Sequence, residues 1–110
     1  MADDAREFFD THLPEAAKAK PEQIKQLGRR FQFNLTGDGG GAWYVDATSS
    51  GPRIEQGDPG TADLTITLPA ADFRQLRDDP NAGVRLYFAG TLKMQGDPSA
   101  SMQVPQLLKM

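Results

Sequence analysis

Three runs of this chain switch between apolar and polar at every residue, and that alternation limits its fold more than any other feature. Phe31, Phe33 and Leu35 alternate with Gln32, Asn34 and Thr36, Trp43, Val45 and Ala47 with Tyr44, Asp46 and Thr48, and Leu64, Ile66 and Leu68 with Asp63, Thr65 and Thr67. Successive side chains of an extended chain point to opposite faces, so each run is a strand with one apolar and one polar side. Gly37-Asp38-Gly39-Gly40-Gly41 turns the first into the second. Ser49-Ser50-Gly51-Pro52 then leads to a short strand around Ile54, which Gly57-Asp58-Pro59-Gly60 breaks. Leu92 and Met94, flanked by Thr91, Lys93 and Gln95, make a fifth strand. The pattern predicts an antiparallel meander with one face in water and the other needing a cover. Phe33, Trp43, Val45, Ile66, Leu92 and Met94 belong to the covered face, and Gln32, Tyr44, Asp46, Thr65 and Lys93 to water; a slip of one residue would invert the assignment.

The cover is helical. Asp3 or Asp4 caps a short helix carrying Phe8 and Phe9, Pro14 and Pro21 each fall where a first helical position belongs, and Gly28 is the stop. The stretch from Ala70 to Asp79 places Phe73 and Leu76 at helical spacing. Asp79-Pro80 starts a second turn bearing Val84, Tyr87 and Phe88, which Gly90 ends. Gly96-Asp97-Pro98 opens a last helix with Met102, Leu107 and Leu108, which Pro105 should kink or restart. At 110 residues, without internal repeats or a long linker, the chain reads as a single domain over residues 1–110. A domain of that size buries about 60–70% of its unfolded surface, so a ligand cavity would have to be part of the core.

Composition narrows the chemistry. Twelve Lys and Arg against fifteen Asp and Glu give a net charge of −3, with six of each in residues 1–30, so the acidic excess lies downstream and no nucleic-acid footprint is expected. The absence of cysteine excludes disulfides, thiol catalysis and thiolate metal sites. His12 is the only histidine and is expected at the surface, without a partner for a metal site or a triad. Asp3-Asp4 and Asp78-Asp79 read as hydrated helix-end residues rather than acid–base pairs. The glycine run lacks a Gly-Lys-Ser/Thr ending and leads into a strand, which makes it a hairpin turn rather than a phosphate loop. No serine has a Gly-x-Ser-x-Gly elbow. Met1-Ala2-Asp3-Asp4 is acidic where a signal peptide is basic, and no apolar run approaches the roughly 18 residues of a membrane span, so the expected location is cytoplasmic. No enzymatic activity, cofactor or metal is expected. Phe73, Leu76, Phe88, Met94, Met102, Leu107 and Leu108 remain as the candidate set, offered by different elements to one space. Periodicity reads them equally as plain core or as the walls of an apolar pocket, with the methionines adapting to a ligand's shape.

Four stretches carry a resemblance: Phe31-Gln32-Phe33-Asn34-Leu35 with its glycine loop, Ala42-Trp43-Tyr44-Val45-Asp46, the run from Ala62 to Leu68 followed by Asp72-Phe73, and the run from Phe88 to Asp97 in which Gly90 and Gly96 bracket the fifth strand. In order and spacing they resemble the sterol carrier protein 2 family of small lipid-binding domains along nearly the whole chain. The resemblance implies an α+β fold, a five-stranded and mainly antiparallel sheet with helices covering one face. It also implies an apolar cavity that binds a fatty acid, fatty acyl-CoA, sterol or similar lipid without catalysis and with at most transient membrane contact. The alternative it carries is a non-catalytic interaction module that associates with, or presents substrate to, a partner enzyme.

Overall fold

The computed structural model describes residues 4–108 apart from Asp38, Ser50 and Pro80. The expected cap at Asp3, the Pro80 half of the Asp79-Pro80 start and the side chain of Asp4 lie outside the described residues. Five strands form one sheet: β1 (Arg29–Thr36), β2 (Gly41–Ala47), β3 (Arg53–Gln56), β4 (Leu64–Pro69) and β5 (Lys93–Gly96), in the order β3-β2-β1-β4-β5. Phe31 lies opposite Val45 and Phe33 opposite Trp43, while Ile66 sits between Phe33 on one side and Met94 on the other. The expected apolar face is therefore continuous across β2, β1, β4 and β5.

The meander is corrected. β4 pairs with β1, in parallel, and the other three pairings are antiparallel. β1, β2 and β4 are the strands with a full apolar stripe, and this pairing puts β1 at the centre with β2 and β4 on either side. β3, short and carrying Arg53, Glu55 and Gln56, is left at an edge, where charge discourages further pairing. The link from β3 to β4, residues 57–63, must then cross β2 and β1. It travels about 14 Å sideways and about 7 Å back along the strands, within reach of seven residues.

That crossing also corrects the outward face. Gln32 is fully buried and Tyr44 nearly so, because the link lies over them, and Asp46 is nearly buried beside Thr48 and Arg30. Gln32 Nε2 donates to the Gly57 carbonyl at 3.0 Å and to Asn34 Oδ1 at 2.9 Å, and the hydroxyls of Thr61 and Tyr44 meet at 3.1 Å. Asp63 closes the link by accepting from the Arg30 amide at 2.9 Å and donating its own amide to the Arg30 carbonyl at 2.8 Å. Asp46 accepts from the amide and the hydroxyl of Thr48 and faces the Arg30 guanidinium at 3.6 Å. Thr65 is half-buried and Lys93 exposed, as the alternation requires.

On the other face, residues 4–19 wind as one continuous helix: α1 (Asp4–Glu7), a π-helical turn (Phe8–His12) and α2 (Leu13–Ala19). Pro14 does not start a separate helix. It has no amide hydrogen, and its ring crowds the carbonyl four residues earlier, that of Asp10, so the wider π turn absorbs it. Pro21 does open the next helix, α3 (Pro21–Lys25). The π turn sets Phe8 and Phe9 on the sheet and turns Asp10 toward Trp43, whose indole donates to Asp10 Oδ1 at 3.0 Å. Phe9 stacks nearly parallel on Trp43 at 5.0 Å between ring centres, and stands 5.0 Å from Phe33 and 5.3 Å from Phe73. Phe73 belongs to α4 (Ala70–Asp78), which crosses β1 and β4. Beyond it come α5 (Ala82–Phe88), a 3₁₀ segment (Pro98–Gln103) and α6 (Val104–Leu108), with Pro105 in the first turn of α6 where the helix restarts.

Two outcomes follow from this packing. Phe9→Ala removes the ring that three aromatic neighbours share and should cost about 3–5 kcal/mol, measured by urea unfolding with Trp43 fluorescence as the probe; a loss under 1 kcal/mol would contradict it. Burial raises the Asp46 pKa, but the Thr48 hydroxyl and amide and the Arg30 charge outweigh it and hold the carboxyl below its ordinary 3.8. A lowered native value gives stability that is complete well above pH 4 and disappears as pH falls through it. Asp46→Asn keeps an acceptor for Thr48 and loses the charge. Its melting temperature should sit below the parent's at pH 7, by an amount equivalent to about 1 kcal/mol, and the gap should narrow as pH falls below the ordinary 3.8 and through the lowered native value.

Candidate functional site

The covering helices seal the β2–β1 half of the sheet with aromatic rings, and over β4 and β5 the cover leaves a cavity of about 200 Å³. Its floor is the sheet: Ile66 of β4 and Met94 of β5 face each other across paired strands, and Leu92 enters just before β5. One wall is Leu76 of α4. A second is α5, through Gly83, Val84, Tyr87 and Phe88, and the third is the chain end, through Ser101, Val104, Pro105 and Leu108. Gly83 lets α5 approach α4 closely, since a Cβ there would stand 3.3 Å from Leu76 Cδ1.

Two carboxylates hold the chain segments around the mouth. Asp97 caps the 3₁₀ segment, accepting from the Ser99 amide at 2.9 Å and hydroxyl at 2.6 Å, and these bonds, hydroxyl first, keep its pKa below the ordinary value. Asp79 does the same ahead of α5: the Arg85 guanidinium first, at 2.9 Å, and then the Asn81 amide lower its pKa. Gly96 ends β5 at a φ of +116°, against the Asp63 carbonyl, where a Cβ would meet that oxygen at 2.2 Å.

None of the lining residues is charged, and the Ser101 hydroxyl donates to the Pro98 carbonyl at 2.6 Å. The space can desolvate an apolar group and has no charge to offer a buried ionised head. His12 is exposed, stacked on Phe8 at 5.5 Å between ring centres. Among the described residues no three His, Asp or Glu side chains gather as metal ligands, and no helix is long and apolar enough to cross a membrane.

Of the seven residues singled out from the sequence, Leu76, Phe88, Met94 and Leu108 stand on the cavity wall. Phe73 and Leu107 do not: both are fully buried, Phe73 among the rings of Phe8 and Phe9 and Leu107 in the core under α6. Met102 is corrected outright, being 78% exposed. It lies in the 3₁₀ segment, whose three residues per turn shift the helical phase by about 20° per residue and rotate it outward. α5 is also turned from the expectation. Ala82 and Leu86 face the core, while Val84, Tyr87 and Phe88 form an outer wall, with Phe88 81% exposed. The sequence reading missed Val84 and Tyr87 as wall residues, although Val84 stands three residues before Tyr87 and four before Phe88, and that helical spacing was the available signal. It had no signal for Val104, whose phase depends on the switch from 3₁₀ to α winding.

The fold as a whole is similar to that of proteins of known structure. The chain is similar to the apo form of sterol carrier protein 2 from Yarrowia lipolytica, with a TM-score of 0.70, 28% identity and coverage of 94% of this chain and 83% of that one. In sequence it is 31% identical over 100 residues to a fatty acid-binding protein of Yarrowia lipolytica, covering 87% of this chain and 78% of that protein. It is 27% identical over 88 residues to hydroxysteroid dehydrogenase-like protein 2 of Rattus norvegicus; the match takes in 79% of this chain and only 17% of that relative's length. The model of the SCP-2 sterol transfer family matches residues 9–109. From the N-terminal helix to α6, then, the chain belongs to the SCP-2 sterol transfer family.

Proposed function

We propose that this domain reversibly binds a single-chain lipid, a fatty acid or its acyl-CoA, with the acyl tail in the cavity and the head group left at the rim, and that it carries or presents that lipid without chemical change. The observation that carries this is the uncharged lining of a space bounded by a sheet floor and three walls. A volume of about 200 Å³ is smaller than the roughly 300–1,000 Å³ of pockets that swallow a drug-sized ligand. A chain entering it buries part of its length, at about 0.8 kcal/mol per methylene, and leaves a charged head in water. The fatty acid-binding relative supports the same ligand class. A second reading has its own support: in hydroxysteroid dehydrogenase-like protein 2 the matching segment is a small part of a much longer protein. On that reading the domain holds a lipid for a partner enzyme.

Filling the cavity separates a ligand site from plain core. Met94→Trp, half-buried on the floor, should weaken binding of a fluorescent fatty acid at least about tenfold, equivalent to about 1.4 kcal/mol, while the melting temperature stays within a few degrees of the parent. Met102→Trp, outside the wall, should leave the affinity unchanged. Absence of saturable binding by the parent, or equal loss in both variants, would refute the reading.

A further inference from the structure

Gly83 is unlike the other ten glycines of the chain. Seven of those have a positive φ, Gly40 and Gly51 would each bring a Cβ to 2.2 Å from a carbonyl oxygen, and Gly41 would bring one to 3.0 Å from the Trp43 ring. Gly83 is helical, in the first turn of α5, where alanine would be the better helix former. Within 4 Å a Cβ there would meet one atom, Leu76 Cδ1 at 3.3 Å. That atom is the tip of a side chain, so a methyl could be admitted by turning Leu76, and the helix could not simply lift away, since Ala82 beside it is fully buried. Either the methyl or the turned leucine would then stand in the cavity that both residues line. What glycine keeps free is cavity space. We propose that Gly83 and Leu76 set the cross-section of the ligand, leaving between α5 and α4 a slot that admits one acyl chain in preference to a fused-ring sterol. The inference rests on the lipid-binding reading above and adds the pair of residues that selects the class of lipid.

Shape favours that selection. A cavity of about 200 Å³ lies below the roughly 300–1,000 Å³ of pockets that enclose a drug-sized molecule, the size class of a sterol. A polymethylene chain is slender and flexible, and it can bury part of its length while the rest stays at the rim. A sterol nucleus is rigid and must be admitted at its full width. α4 cannot retreat to make that width, because Phe73, one turn before Leu76, is held 5.7 Å from the Phe8 ring and 5.3 Å from the Phe9 ring. α5 forms the other side, and at Gly83 it has no side chain left to remove. The width at this point is therefore set by Leu76, which is 8% exposed.

The test is fluorescence titration with cis-parinaric acid, a linear fatty acid, and with dehydroergosterol, a sterol, with melting temperatures measured alongside. The parent should bind parinaric acid saturably and the sterol at least about tenfold more weakly. Gly83→Ala should weaken parinaric acid binding at least about fivefold, with a melting temperature at or above the parent's because alanine favours the helix. Leu76→Ala should raise the ratio of sterol to fatty acid affinity at least about tenfold. Combining the two should recover most of the fatty acid affinity that Gly83→Ala alone loses, since the new methyl then stands in space that Leu76 has left. A glycine kept only for helix packing would show no such rescue. Where Leu76→Ala is too unstable to titrate, Leu76→Val carries the same test, with the ratio rising about threefold. Four results would overturn the proposal: a parent that binds both lipids equally, Gly83→Ala binding like the parent, a loss in Gly83→Ala that only follows a lower melting temperature, or truncation at Leu76 that leaves the ratio unchanged. Fatty acid binding that Gly83→Ala spares removes this inference alone, and a parent that binds neither lipid removes the reading beneath it as well.

Discussion

Phe9 is the side chain to which the covering layer is referred. Its ring touches Phe33 and Trp43 of the sheet and Phe73 of α4, so one contact fixes the N-terminal helix on β1 and β2 and fixes α4 against that helix. α4 is thereby made a partition. Phe73 faces the aromatic side, and Leu76, one turn later, faces the cavity. The π turn at Phe8–His12 serves this arrangement by carrying Pro14 inside the helix while Asp10 stays within reach of the Trp43 indole.

The outer face shows a limit of periodicity. Alternation correctly divided the side chains of β1 and β2 between two faces, and Phe31, Phe33, Trp43 and Val45 are buried under the helices. It could not show that Gln32 and Tyr44 would also be buried, because what covers them is a link whose path depends on strand order, nor that Thr48 and Arg30 would close over Asp46. Strand order is a tertiary fact. The polar character of these residues was itself a correct signal of a different kind: a buried Gln, Tyr and Asp are tolerated where partners are supplied, by Gly57 and Thr61 of the crossing link for Gln32 and Tyr44 and by Thr48 for Asp46.

The cavity was legible where an element kept its expected winding. Met94 and Leu76 came directly from strand and helix spacing, and Leu108 from the end of the last helix. Phe73 failed because an aromatic cluster, invisible to spacing within one helix, drew it to the other side of the partition. Met102 failed because Pro98 at the start and Pro105 shortly after leave a segment that winds as 3₁₀, and helical wheels drawn for α geometry misplace its residues. Phe88 was identified for the wrong reason: it reaches the cavity from an exposed outer wall and not from a buried face.

An apolar void must be reconciled with marginal stability. Carried inside a packed core at about 24 cal/mol per Å³, a space of 200 Å³ would cost about 5 kcal/mol, a large share of the roughly 5–15 kcal/mol that holds a domain together. Position lowers that cost. The cavity lies at the edge of the core, and α5 contributes side chains to it that already stand in water, so their contacts were never part of the folding free energy. The rings of Phe8, Phe9, Phe33, Trp43 and Phe73 form a closed core on the far side of α4, and nothing about the void perturbs them. The fold thus separates two demands that conflict in a small domain. Stability resides where aromatic packing is complete, and the incomplete packing that admits a ligand is confined to short, lightly anchored elements, with α5 held by Ala82 and Leu86. Elements with few buried contacts open at low free energy, and here those elements are the ones an entering chain must pass.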